Sequence, residues 1–256
     1  MVKKSLDSTL PEGLLVNRDW LSAKGFERAS VDYFIRAGKL DAVAHGIYRK
    51  PGPQLKWENV IYSLGQMGMF VHVGHISALR FHGFEHFLMV GGVQEINVYS
   101  VGKIPPWIDS VSNYSFKQMY RSPFADGLRL GLEDISFGTW DWPIPYATPE
   151  RAFIELISTV TSEAGIEQAY LMLQGAATLR PALIQDLLEK CQQVKAKRLF
   201  LWIAREIAHP WYNYIDQKSL DLGSGKRQII VGGKLDEEFL ITIPKEMFDG
   251  EAEPLF

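Results

Sequence analysis

The clearest alternation of apolar and polar positions lies in the first fifty residues. Val31, Phe34 and Ile35 recur at the spacing that gathers side chains on one face of a helix, while Ala29, Asp32, Tyr33 and Arg36 fall on the other. This pattern predicts a helix over 28–38, closed by Gly38. A shorter helix over 18–24 precedes it, with Asn17 as its cap and Gly25 just past its end. The turn Gly25-Phe26-Glu27 joins the two at the length of a helix-turn-helix. Residues 40–44 and 47–50 then read as strands on either side of His45-Gly46, a hairpin in the position of a wing.

Pro51-Gly52-Pro53 is the strongest punctuation in the chain and divides it into a winged helix-turn-helix over 1–53 and a larger mixed domain over 54–256. In the larger part, 57–69 and 76–83 read as helices. Strands are expected at 95–101, at 114–119 and in two segments between 128 and 140. Thr148-Pro149-Glu150 is a helix start, with threonine as cap and proline in the first turn. Four helices follow at about 149–160, 166–174, 181–190 and 194–208, and a hairpin of 227–231 with 239–243 closes the pattern. The fold class is α+β.

Composition bounds the function rather than naming it. The 256 residues are 46% hydrophobic and 22% charged, as expected of a folded globular chain, with no apolar run long enough to span a membrane. The first residues lack a signal-peptide core, and the single cysteine, Cys191, cannot form an internal disulfide. Both point to the cytoplasm. The net charge of −3 is uneven: residues 1–53 hold nine basic and six acidic side chains, leaving eighteen against twenty-four for the rest. A basic terminal segment on an acidic body is the distribution expected when one part meets phosphate.

On that reading Tyr33 and Arg36 are the candidates for base edges in the major groove. Arg28, Ser30 and Lys39 sit nearer the rim and Arg49 and Lys50 on the wing, where the sugar-phosphate backbone is the expected partner. A helical hairpin with a β-hairpin that binds protein is the competing reading. In the helix over 194–208, Phe200, Ile203 and Ile207 mark a buried side. Lys195, Arg198 and Arg205, with Trp202 among them and Lys197 nearby, form a cationic strip for nucleic acid or for an acidic or phosphorylated partner. A solvated face partly neutralised by Glu206 explains the same residues.

Leu222-Gly223-Ser224-Gly225-Lys226-Arg227 lacks the spacing of a phosphate loop and leads into a strand, so a tight turn fits better, with Lys226 and Arg227 adding to a basic surface. His82 and His86 have i, i+4 spacing, but Gly83 interrupts them and no cysteine completes a metal set. No nucleophile has an assignable base, and Asp236, Glu237 and Glu238 read as solvated turn carboxylates. Neither catalysis nor a cofactor is therefore expected. Trp140, Trp142 and Tyr146 among Pro143 and Pro145 read as a packed connection.

Several of these runs resemble one family. Leu10-Pro11-Glu12-Gly13-Leu14-Leu15, Trp20-Leu21, Asp32-Tyr33 and His45-Gly46-Ile47-Tyr48-Arg49-Lys50-Pro51-Gly52 are similar to the N-terminal domain of AbiEi-type antitoxins. Ser77-Ala78-Leu79-Arg80-Phe81-His82-Gly83, 194–200 and 222–227 resemble the remainder. The resemblance implies an antitoxin from a bacterial type IV toxin–antitoxin operon associated with abortive phage infection. Its N-terminal domain would bind repeats in its own promoter, and its C-terminal domain would counter a nucleotidyltransferase-type toxin, without requiring a stable complex. A winged-helix regulator whose larger domain senses a small ligand, and an enzyme carrying a DNA-targeting module, are the competing classes.

Overall fold

Asn17 starts the helix-turn-helix by the mechanism its residue type suggests. Its Oδ1 accepts the Trp20 amide at 2.8 Å, satisfying one of the orphan donors at a helix start. The computed structural model describes residues 5–84 and 95–245. In chain order the first elements are α1 (Leu6–Thr9), β1 (Val16–Asn17), α2 (Arg18–Ala23), α3 (Arg28–Arg36), β2 (Asp41–Ala44), β3 (Ile47–Arg49), α4 (Trp57–Gln66), β4 (Val71–Val73) and α5 (His75–Phe81). They are followed by β5 (Glu95–Ser100), β6 (Ser115–Gln118), β7 (Leu132–Phe137), β8 (Trp142–Ala147), α6 (Pro149–Ser158), α7 (Glu163–Gln174), α8 (Pro181–Lys190), α9 (Val194–Ile207), β9 (Lys234–Asp236) and β10 (Ile241–Ile243). None of these helices is long and apolar enough to cross a membrane.

The chain forms two compact units that interleave in sequence. The first takes the described residues of Met1–Val73, Met89–Tyr120 and Glu133–Tyr146, and the second takes the rest. The division does not fall at Pro51-Gly52-Pro53, because the residues before that punctuation share cores with residues far beyond it. Leu10, Leu21, Val31, Leu40 and Tyr48 pack with Trp142, and Trp142 stacks on Tyr62 at 4.5 Å. On the other side, Leu15, Val43 and Ile47 join a second cluster around Trp57, Ile61, Val73 and Val98, and the Leu15 amide donates to Ser63 Oγ at 2.9 Å. A segment of 1–53 cut free would expose both surfaces.

Two sheets organise the first unit. One has the order β1-β3-β2, all antiparallel, with Val16 opposite Tyr48 and Asp41 opposite Arg49. The other has the order β6-β5-β4-β8-β7, antiparallel at β4–β5 and parallel at β5–β6 and β4–β8. β4 is three residues long and went unread in the sequence, because periodicity needs a longer window. β8 replaces the proline-aromatic connection expected there. β8 lies between β4 and β7, and its pairing with β4 is confined to Val73 opposite Tyr146, so on that side Pro143 and Pro145 interrupt no longer ladder.

In the second unit α6 is buried from Glu150 to Ile157 and touches α5, α7, α8 and α9. Thr148 does not cap it through its side chain. Ser162 does cap α7, accepting the Gly165 amide at 3.2 Å and starting that helix three residues earlier than its apolar pattern. The terminal hairpin is β9 with β10, not 227–231 with 239–243. The Ile229 and Ile230 amides bond to Thr242 Oγ1, at 2.8 and 3.1 Å, which takes that segment out of a ladder. His82 shares a hydrogen bond of 3.0 Å with the Ala147 carbonyl, and His86 lies outside the described residues.

His209 gives this unit a pH-dependent stability. It is buried, stacks on Trp211 at 4.9 Å, and its Nε2 meets the Leu173 carbonyl at 2.7 Å. Burial holds its pKa below the ordinary 6.5, although the Leu173 bond works the other way. The unfolded chain therefore gains a proton that the folded chain resists, so stability is intact above about pH 6.5 and falls as pH drops below it. The urea midpoint of the wild type should fall between pH 7.5 and 5.5, and His209→Gln should fall less over the same interval.

Candidate nucleic-acid interface

α3 buries the face its spacing predicted. Val31 is buried, and Phe34 and Ile35 pack against the core beneath. Phe34 meets Phe26 edge-on at 5.8 Å, which fixes the angle between α2 and α3. Gly25 supplies the turn with a φ of +91°, a left-handed conformation that costs glycine little. The opposite face is open: Arg28, Ala29, Asp32, Tyr33, Arg36 and Lys39 are all exposed, and Ser30 is half-buried. Tyr33 is 57% exposed, unusual for a large aromatic on a helix, and its ring leans against Phe34 at 5.7 Å. Arg36 Nε bonds the Asp32 carbonyl one turn back at 3.2 Å, leaving the guanidinium nitrogens beyond it facing solvent.

Arg49 and Lys50 lie at the end of the second strand as expected, but their side chains meet the protein itself. The hairpin tip is His45-Gly46, whereas Arg49 sits opposite Asp41 at the base, three residues beyond that tip. Arg49 donates Nη1 to the Pro53 carbonyl at 2.8 Å and Nη2 to Gly52 at 2.9 Å, so it braces the Pro51-Gly52-Pro53 turn. Lys50 is only 15% exposed, donates to the Asp7 carbonyl at 2.9 Å and faces the Asp7 carboxylate at 4.0 Å. Both cations are spent on the fold. Arg18, which periodicity gave no weight, donates Nη2 to Tyr48 Oη at 2.9 Å and ties the start of α2 to β3. Its signal in the sequence was only its place beside the cap Asn17.

Residues 2–90 match the family described as "Transcriptional regulator, AbiEi antitoxin N-terminal domain", and residues 94–244 match "Transcriptional regulator, AbiEi antitoxin, Type IV TA system". The chain belongs to the AbiEi antitoxin family. It is an antitoxin and transcriptional regulator of a type IV toxin–antitoxin system. The crystal structure of the RV2827C protein from Mycobacterium tuberculosis has a similar fold, with a TM-score of 0.56 and 13% identity over 90% of this chain and 86% of that one. No curated protein matches the chain in sequence.

The cationic strip expected on α9 of this AbiEi chain does not form. Lys197 and Arg198 are 3% exposed and Trp202 is fully buried, because α9 is enclosed on every side from Ala196 to Ala204. Arg198 turns inward and holds the 222–225 loop, donating Nε to the Leu222 carbonyl at 2.7 Å, Nη1 to Gly225 at 2.7 Å and Nη2 to Gly223 at 3.0 Å. Burial, and then the like charge of Arg227, push its pKa down. Arg205 is saturated by carboxylates: Glu206 and Asp236, each at 2.7 Å, and Glu238, with Phe239 under the guanidinium at 5.1 Å. Although burial opposes its charge, these carboxylates outweigh it and hold Arg205 protonated. Of the seven residues assigned to that surface, Lys226 and Arg227 are exposed and Lys195 half-exposed, so the basic surface moves from the helix to the loop that Arg198 braces.

Proposed function

We propose that this AbiEi-family chain represses its own promoter by seating α3 in the major groove of double-stranded DNA carrying inverted or direct repeats. The observation that carries the reading is the open face of α3, where Tyr33 and Arg36 project from a helix whose other side is locked into the core. A helix-turn-helix followed by an antiparallel hairpin is the arrangement that presents such a face to base edges. Tyr33 and Arg36 read bases, while Arg28, Ser30 and Lys39 contact phosphate. The hairpin contributes His45 and its backbone at the tip. Arg49 and Lys50 act indirectly, by holding the hairpin's base.

The chain acts in the cytoplasm as a regulator rather than as an enzyme, and it counters a nucleotidyltransferase-type toxin. Lys195, Lys226 and Arg227 form the surface engaged in neutralisation. Co-expression with the adjacent toxin gene should restore growth; failure to rescue removes the neutralisation claim. Arg36→Ala should weaken promoter binding in a gel-shift assay by about 1–3 kcal/mol, with the loss confined to sequences carrying its base. Arg28→Ala and Lys39→Ala should weaken all sequences alike and lower the slope of log K against log salt by about one each. Unchanged affinity in Arg36→Ala would take that residue out of the interface.

A further inference from the structure

A cleft of about 420 Å³ opens in the first unit between the Pro51-Gly52-Pro53 turn and the tip joining β7 to β8. Its volume lies in the range of pockets that enclose one small molecule. Arg49 and Lys56 line it as cations, Phe137 and Trp140 as aromatics, and Glu12 and Asn59 as polar groups. Two observations set this cleft apart from an ordinary surface groove. Trp140 is 57% exposed, whereas its neighbour Trp142 is buried against Tyr62, so one large aromatic face is left to the cleft. Arg49 Nε is buried without a hydrogen-bond partner, while the two Nη atoms of the same guanidinium are fully used.

Lys56 forms no ion pair among the described residues, and its ammonium sits 5.6 Å from the Phe137 ring centroid. Positive charge thus exceeds negative in a small cleft that also carries an aromatic platform. An aromatic plane takes a nucleobase by stacking, and cations beside it take phosphate. Acceptors such as Glu12 and Asn59 suit sugar hydroxyls or exocyclic amines. A single-stranded polymer would need successive platforms along a groove, and this cleft offers one.

We propose that the cleft is a binding site for a free nucleoside phosphate, with the base on Trp140 and the phosphate held by Lys56. The site is independent of the DNA-reading face of α3, so its test does not pass through promoter binding. The full chain is titrated calorimetrically with AMP, ATP, GTP and CTP, with adenosine, inorganic phosphate and a ten-nucleotide oligo-dT as comparisons. At least one nucleotide should saturate, and adenosine and inorganic phosphate should each bind at least about tenfold more weakly. Trp140→Ala and Lys56→Gln should each weaken the nucleotide about tenfold, with the melting temperature and the nucleotide-free promoter affinity unchanged.

Five results would overturn the proposal. The first is no saturation by any nucleotide, and the second is parental affinity in both variants. The third is inorganic phosphate binding as tightly as the nucleotides. The fourth is oligo-dT binding more tightly than mononucleotide and being lost in the same variants, which would make the cleft a strand-binding surface. A loss of promoter binding in either variant without nucleotide would likewise reassign it to the DNA interface.

Discussion

Arg151→Met will cost the second unit about 3–5 kcal/mol, read as a fall in the denaturation midpoint of that unit. The side chain is 2% exposed and Glu155, one turn away, is fully buried. Arg151 donates Nε to Glu155 Oε1 at 2.8 Å and Nη1 to the carbonyls of Leu128 and Leu130, each at 2.7 Å. Its guanidinium also lies 4.7 Å from the centre of the Phe124 ring. The second oxygen of Glu155 accepts the His75 amide at 3.0 Å, at a residue whose φ of +56° is costly for a side chain of that size. Removing the cation therefore takes the Arg151 guanidinium from a buried carboxylate, deprives two carbonyls of this donor and loosens the strained start of α5. Arg151→Met with Glu155→Leu should recover only part of the loss: no buried carboxylate remains, but the Leu128 and Leu130 carbonyls and the His75 amide still lose these bonds. A single substitution costing under about 1 kcal/mol would show that water reaches the pair.

Arg198→Met should cost about 2–4 kcal/mol, since it removes charge-assisted bonds to three loop carbonyls from a buried site. Among the described residues Arg198 has no carboxylate partner, so it acts as a brace and not as half of an ion pair. Toxin neutralisation should fall with it, in step with stability. Lys226→Ala with Arg227→Ala should do the opposite, leaving the melting curve in place and reducing neutralisation alone. Protease sensitivity of the 222–227 loop separates the two cases: it rises in Arg198→Met and stays at the parental level in the double surface variant. Parental melting in Arg198→Met would return the residue to the toxin-facing surface.

The contrast between α3 and α9 explains where sequence reading succeeds. α3 has one buried and one open face, so a 3.6-residue period separates them and the outward set of Ala29, Asp32, Tyr33 and Arg36 is legible from spacing alone. α9 is covered all round by neighbours distant in sequence, so the same arithmetic placed Arg198 and Trp202 on a face that does not exist. Arg198 and Lys197 are tolerated there because buried polar groups can be matched by partners, and for Arg198 these are backbone carbonyls that no local pattern announces. The hairpin failed in a subtler way. Its strands and the place of Arg49 and Lys50 at the end of the second were legible, but the Gly52, Pro53 and Asp7 groups that take up the two cations were not.

By itself the sequence determined the α+β class, the helix-turn-helix with its Asn17 cap, the orientation of α3 and, through short runs spread along the chain, the family. All of these rest on local chemistry: caps, turn glycines and the period of a half-buried helix. Only the tertiary structure decided the rest. It joined residues before Pro51 to Trp142 and Tyr62, used Arg49, Lys50 and Arg198 as internal braces, and brought Lys56 and Trp140 to one cleft. These outcomes depend on which distant segments share a core, and a side chain's free energy follows from the partners it meets there rather than from its neighbours along the chain.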